Sequence, residues 1–286
     1  MSLNIALNPI SKKRIEVMIQ LIRRSAVLIS FLALVFFLPV VALAQPEDDI
    51  DDTITPLTGS IGLGIVYTPD YDGAKTSKVR PFPYFNLLYG PVFLSTERGL
   101  GVKFDLLDGN LQLAPAINYR WEREQDDSPI LNGMGDISGT FTLGGTISYY
   151  FAPFVLQMKA FQSLSSDKGF TMDFRAGYFN RDYEKLHWGI SLTSSLADQN
   201  YNQTYFGVTQ EQSTNSGHPV YTPSAGFKDV GLRGAVDYFL TTDISVDVFA
   251  NYHRLISEAG KSPLVKSGTP DQFSTGLLFF FHFGGY

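Results

Sequence analysis

Cysteine is absent from the 286 residues, which excludes a disulfide framework and thiol chemistry. No G-x-S-x-G, no H-E-x-x-H and no repeated acidic calcium loop occurs, so no familiar hydrolase or metal motif is present. Beyond Ala44 no stretch approaches the roughly 18 uninterrupted apolar residues of a membrane-spanning helix, which excludes a helical membrane protein. What the chain has instead is 23 Phe, 15 Tyr and 26 Gly, a mixture that suits strands meeting lipid headgroups.

The N-terminus reads as a secretory signal. Lys12, Lys13, Arg14, Arg23 and Arg24 precede an apolar run from Ala26 to Ala44, which ends in Ala42-Leu43-Ala44 before Gln45. Pro39 and the small residues at the end favour cleavage over anchoring. The leader is long, and Met18 is a second candidate start. Cleavage after residue 44 removes five basic residues and one acidic one, leaving 17 Lys and Arg against 27 Asp and Glu, a net charge of −10. Such an acidic chain is a poor binder of nucleic acid. Residues 45–57 form an acidic, proline-bounded lead-in, expected to be solvated in the periplasm.

From residue 58 onward the chain alternates with period 2, the signature of strands with one apolar face. Ile61, Leu63, Ile65 and Tyr67 share a face against Ser60, Gly62 and Gly64. Leu100, Val102, Phe104 and Leu106 oppose Gly101, Lys103 and Asp105, and an Asp108-Gly109 hairpin signal follows. Leu111 to Trp121, Ile137 to Phe151, Phe154 to Ser163, Phe170 to Asn180, Leu186 to Leu196, Val230 to Leu240 and Ile244 to Leu255 repeat the pattern. The region Arg80 to Glu97 is weakly patterned and reads as two short strands broken at Gly90-Pro91.

The last stretch, Thr269 to Tyr286, places Phe273, Thr275, Leu277, Phe279, Phe281 and Phe283 on one face. It resembles the closing strand of a bacterial outer-membrane β-barrel, whose terminal aromatic is read by the barrel-assembly machinery. The alternating register selects Phe283 as that assembly signal. The fold expected is therefore an all-β transmembrane antiparallel barrel spanning residues 58–286, in contact with outer-membrane lipid. The count is twelve strands, with ten as the alternative because the outer link near Arg98 is tight. A soluble sandwich or lipocalin-like barrel would also alternate. The signal, the closing strand and the many charges on the face opposite the apolar one favour the membrane.

The loops carry a family resemblance. Ala197-Asp198, Tyr201, Tyr205-Phe206-Gly207-Val208-Thr209, Ser216-Gly217 with Pro219 and Tyr221, and Gly226-Phe227-Lys228 closely resemble the long loop of the MltA-interacting protein family, also called MipA/OmpV. Pro69-Asp70-Tyr71-Asp72-Gly73, Pro81 with Pro83-Tyr84, Leu131 to Ile137, and Arg254-Leu255 followed by Ser262-Pro263-Leu264-Val265 are similar to that family's motifs in order. Two departures stand out. Glu258 stands where the family usually has aspartate, and Gly284-Gly285-Tyr286 extend beyond the usual closing aromatic.

The resemblance implies a scaffold in the outer membrane that holds a lytic murein transglycosylase near a penicillin-binding synthase. Family members are also linked to adhesion, osmotic response and antibiotic passage. A narrow or gated channel, since twelve strands enclose less than the roughly 16 to 18 of general porins, or an adhesion-type protein is the second expectation, and a barrel hydrolase the third. No role in partner binding is assigned by the motif residues. Gly207, Gly217 and Gly226 equally suit turn conformations, and Tyr205, Phe206 and Tyr221 equally suit packing on the barrel rim.

Alternation sends Lys103, Asp105, Arg120, Asp173, Arg175, Arg233, Asp237 and Asp247 into the lumen, together with Lys159. Charges in a narrow barrel are expected to pair there. Among the four histidines His187, His218, His253 and His282, an Asp-His or Ser-His-Asp arrangement can be assembled from His187 or His253, but the spacing selects none. The protein is read as no enzyme, with no catalytic residue, cofactor or metal implied.

Overall fold

A computed structural model describes residues 56–181 and 184–284. The signal segment, the lead-in up to Thr55 and the terminal Tyr286 lie outside the described residues.

The described chain is a closed antiparallel barrel of twelve strands. In order they are β1 (Thr58–Pro69), β2 (Ser77–Tyr89), β3 (Val92–Ser95), β4 (Gly99–Val102, resuming as Phe104–Leu106), β5 (Leu111–Arg120) and β6 (Thr140–Phe151). There follow β7 (Phe154–Ser163), β8 (Phe170–Asn180), β9 (Leu186–Ala197), β10 (Gly226–Phe239), β11 (Ile244–Leu255) and β12 (Asp271–Phe283). Each strand pairs with its sequence neighbours. The cylinder closes where β1 meets β12, in a register running from Gly59 opposite Phe283 to Tyr67 opposite Thr275.

The pleat sorts side chains as the alternation requires. Ile61, Leu63, Ile65 and Tyr67 face outward at 44–63% exposure, while Ser60 and Val66 on the opposite face are buried. On β12, Phe273, Leu277, Phe279 and Phe281 are exposed, and Gln272, Leu278 and His282 are buried in the lumen. A slip of one residue would exchange these two sets, so a strand with one lipid face and one crowded lumenal face admits one register. Glycine makes room at the seam: a Cβ on Gly62 would lie 2.6 Å from the ring of Phe280.

Aromatic girdles mark both ends of the outer face. At the end carrying the short turns, Tyr149, Phe151, Phe154, Tyr178 and Trp188 form a chain of neighbouring rings with centroids 5.5–5.7 Å apart. At the loop end, Tyr119 packs edge-on against Trp121 and Phe141 at 5.1 and 5.2 Å. Closing the sheet pairs the backbone that would otherwise meet hydrocarbon, except along the upper part of β2, which pairs with β3 only over Asn86–Tyr89, and aromatic belts place the headgroup levels.

Two expectations change, and on the strand count the alternative of ten falls. The weakly patterned region holds a long strand, β2, of 13 residues followed by the four-residue β3. Its apolar alternation is blurred because Pro81 and Pro83 occupy outward positions. The tight link near Arg98 does join two wall strands, so the count is twelve and not ten, but β3 and β4 are much shorter than the rest. Finally, β6 starts at Thr140 rather than Ile137, because Ile137 pairs with Arg123 as an isolated bridge and is buried among the loops.

Candidate functional site

The barrel encloses a lumen whose outer mouth is covered by a folded lid. Four loops build it: 70–76, 121–139, 198–225 and 256–270. Within them lie α1 (Gln199–Phe206), α2 (Gln210–Ser216), α3 (Ser257–Lys261) and α4 (Pro263–Ser267). Helix α1 starts where the Asp198 carboxylate accepts the Tyr201 N–H. Helix α2 starts in a reciprocal box between Thr209 and Gln212 and ends at Gly217, whose φ of 78° suits a residue without Cβ.

The lid has its own apolar core. Tyr71, Ala74, Leu131, Met134, Val208 and Leu264, one or two from each loop, form one buried cluster. Ala197, Tyr201, Phe206, Leu255, Ala259 and Val265 form a second against the barrel rim. Directed bonds join the loops: Ser262 Oγ donates to the Phe206 carbonyl at 2.6 Å, Arg123 Nη1 to that of Tyr205 at 2.9 Å, and Gln212 Nε2 to that of Met134 at 2.7 Å.

The motif loop is thereby placed residue by residue. Phe206 and Val208 are fully buried, and Tyr205 stacks on Tyr201 with centroids 4.4 Å apart. A Cβ on Gly207 would meet the Gln203 carbonyl at 2.4 Å. Thr209 caps α2, and Ser216 Oγ donates to the Gln212 carbonyl. Pro219 is exposed on the lid surface. The Tyr221 hydroxyl donates to the Glu258 carbonyl at 2.8 Å and to its carboxylate at 3.0 Å. Burial, followed by this bond, pushes the Tyr221 phenol up to about 12.

An ionic latch ties lid to wall. Lys228 Nζ on β10 lies 3.1 Å from Asp72 of the first loop and 3.2 Å from Asp229. His253 Nε2 approaches the other Asp72 oxygen at 3.9 Å. The Lys228 ammonium holds the Asp72 carboxyl below the usual carboxylate range.

Below the lid lie two cavities. The upper, about 440 Å³, is lined by the cations Lys159, Arg175, Lys228 and Arg233 and the anions Asp72, Glu97, Asp173 and Asp229, with Thr193, Ser194 and Ser195. The lower, about 410 Å³, is mixed: Phe82, Tyr84, Phe249, Leu278 and Phe280 give it one apolar side, facing Asp237, Asp247 and His282. Glu97, Arg233, Asn251 and Ser274 line both and form the girdle between them.

The eight lumenal charges divide into different environments. Lys103 and Asp105 form an ion pair at 2.9 Å. Arg120 instead donates to the Lys168 carbonyl and the Thr171 hydroxyl and lies over the Tyr201 ring at 4.8 Å. Arg175 donates to Ser191 Oγ and stacks on Phe179; Arg233 donates to Asn251 and lies over Phe249. Asp173 joins Arg175 and Arg233 in the upper cavity, while Asp237 and Asp247 oppose one another across β10 and β11 in the lower one. Hydroxyls, amides and ring faces thus take much of the role expected of carboxylates.

The histidines do not assemble a catalytic triad in this geometry. His187 packs on Phe239, His218 meets the Ile130 carbonyl in the lid, His253 faces Asp72, and His282 lies between two serine hydroxyls. Among the described residues no group of three or more His, Asp or Glu side chains is placed to hold a metal ion. Asp72 and Lys228 stand in the family motifs and His282 is one of the four histidines, but the sequence assigns none of them a site role. Inward parity is the further signal for Lys228 and His282, and none marks Glu97, which lies in a link between strands.

Phe283 ends β12 with its side chain on the outer face, partly exposed, opposite Gly59.

Comparison with known proteins gives the following. The MltA-interacting protein of Escherichia coli (strain K12) is 30% identical over 103 residues, 35% of this chain and 41% of that protein. The same figures hold for its Shigella flexneri counterpart, so the chain spans about two fifths (41%) of the length of the curated relatives it matches. The solved COG4313 outer membrane channel from Pseudomonas putida F1 is similar over 83% of this chain and 100% of its own, at 15% identity and a TM-score of 0.43. The NanC porin is similar over 78% and 98%, at 10% identity and a TM-score of 0.42. A closed antiparallel cylinder, lipid-facing between two aromatic girdles, is a bacterial outer-membrane barrel. A family model described as MltA-interacting protein MipA matches residues 61–283, and this chain belongs to that family.

Proposed function

We infer that this protein is a non-enzymatic docking platform of the outer membrane, which holds a lytic murein transglycosylase, and through it a penicillin-binding synthase, at the inner leaflet. The observation that carries the reading is the lid. Four loops build an apolar core over the outer mouth, a construction suited to a rigid cylinder rather than to a wide pore. Family membership supports the class of partner. The short turns at 90–91, 107–110, 152–153 and 240–243 lie at the end opposite the lid; this reading puts that end, with the acidic lead-in expected from the sequence, on the periplasmic side.

The test is capture of envelope proteins on the folded, detergent-solubilised barrel, followed by mass spectrometry and by binding of the purified transglycosylase. Saturable binding that weakens when residues 45–56 are deleted supports docking through the lead-in. Absence of any binding of the transglycosylase, by the intact chain and by the shortened one, sinks the reading.

A narrow or gated channel is the second reading, favoured by the two charged cavities that share one girdle. Steady single-channel steps in a planar bilayer would support it.

A further inference from the structure

The barrel wall is incomplete on one side. Strand β2 pairs with β1 along its whole length, from Thr58–Leu88 to Pro69–Ser77, but with β3 only over Asn86–Tyr89. On that side no described strand pairs with β2 between Ser77 and Phe85. The β3–β4 hairpin stops at Thr96–Arg98, far short of the rim, while β5 continues upward through Asn118 to Arg120. Overhead, the turn Gln125–Asp127 crosses and is tied to β2 by Asp127, 2.7 Å from Lys78 and 3.7 Å from Arg80. The result is a framed window. Its free β2 edge, Val79 to Phe85, is about 20 Å long, and at its sill β2 and β5 stand three strand spacings apart, about 14 Å.

Backbone groups left open in hydrocarbon are costly, and here the frame satisfies the N–H groups of Phe85 and Tyr119 and carries none at positions 81 and 83. Phe85 directs its N–H and C=O toward the hairpin, to Thr96 Oγ1 and the Thr96 N–H at 3.0 and 2.9 Å. Alternate residues of an antiparallel strand point the same way, so positions 83 and 81 also face the window. Both are proline and have no N–H to leave unpaired. On the opposite post the Tyr119 N–H is taken by the Asn118 side chain at 2.8 Å, and Asn118 also donates to the Glu97 carbonyl. Prolines at these places equally forbid an added strand from completing the ladder. The opening is built to remain open.

The window faces lipid on one side and a cavity on the other. Val79, Leu94, Leu100 and Trp121 around it are exposed on the outer face. Directly behind the free edge, Phe82 and Tyr84 point inward and line the lower cavity with Phe249, Leu278 and Phe280; Tyr84 and Phe280 meet edge-on at 5.0 Å.

We propose that this window is a lateral portal through which the hydrocarbon tail of a bilayer amphiphile enters the barrel and lodges against the aromatic side of the cavity behind β2. The aromatic rings provide the apolar wall, and the polar end of the amphiphile stays toward Glu97 and the girdle. This reading does not depend on the docking function.

Bromine on lipid acyl chains quenches tryptophan at contact range, which gives a direct test. The chain has only Trp121 and Trp188, both outward-facing and replaceable by Phe. In that background Phe82→Trp, Tyr84→Trp, the lumenal control Phe161→Trp and the lipid-facing control Leu63→Trp are each reconstituted into vesicles of acyl-brominated phosphatidylcholine. Folding of each variant is checked by heat-modifiable gel mobility. The expected result is that Phe82→Trp or Tyr84→Trp loses emission to the extent that Leu63→Trp does, while Phe161→Trp does not. If both reporters behave like Phe161→Trp, or yield only to aqueous acrylamide, the portal is overturned.

Discussion

Ser60 and His282 face one another across the seam that closes the barrel, with Oγ 2.8 Å from Nδ1. The far ring nitrogen, Nε2, meets Ser245 Oγ of β11 at 2.8 Å, so one imidazole stitches three adjacent strands. A neutral imidazole offers one donor and one acceptor, and two hydroxyls satisfy both. Replacing His282 by Ala should leave two buried hydroxyls short of a partner and lower barrel stability by about 1–3 kcal/mol. The expected readout is conversion to the unfolded gel form at a lower temperature, with Ser245→Ala showing a smaller shift.

Acid should loosen the lid before the wall. Lys228 holds Asp72 below its ordinary value, so the folded-state pKa is depressed. The stability this contributes is present above the unfolded carboxylate pKa, about 4, and is lost as pH falls through the lower folded value. Protease cleavage within the lid loops should therefore increase below about pH 4. In Asp72→Asn that acid-dependent component should disappear and cleavage at neutral pH should rise. A wild-type lid equally resistant at neutral and acid pH would contradict this.

Phe206 is the largest fully buried side chain of the motif loop and underlies the second lid cluster. Phe206→Ala should cost the lid about 3–5 kcal/mol, with the strands untouched. The measurement is limited proteolysis against gel mobility: cleavage between Gln210 and Ser216 should appear while the heat-modifiable barrel persists. Under the channel reading the same variant should show longer or larger conductance events.

The assembly signal separates two registers. Phe283 ends the outward face of β12. Deleting Gly284 to Tyr286 should be tolerated, and Phe283→Ala should reduce the folded fraction recovered from membranes. The opposite pattern would assign recognition to Tyr286.

Period-2 alternation is a property of neighbouring residues, and it determined which side chains of β1, β5 and β7 to β12 meet lipid and which meet the lumen. The pairing of Ile61 to Tyr67 with the last strand follows from the same local rule, once a barrel must close. What the sequence did not decide is everything built from distant parts. Lys228 and Asp72 are 156 residues apart and meet only because the first loop folds over the mouth. The motif glycines and aromatics could be read as binding or as packing residues until tertiary structure buried Phe206 and Val208 in the lid. The depth of the β3–β4 hairpin was equally hidden. A tight turn has the same local sequence wherever along the wall it stops, and only the register of β2 against its neighbours decided that it stops halfway and leaves Pro81 and Pro83 at an open edge.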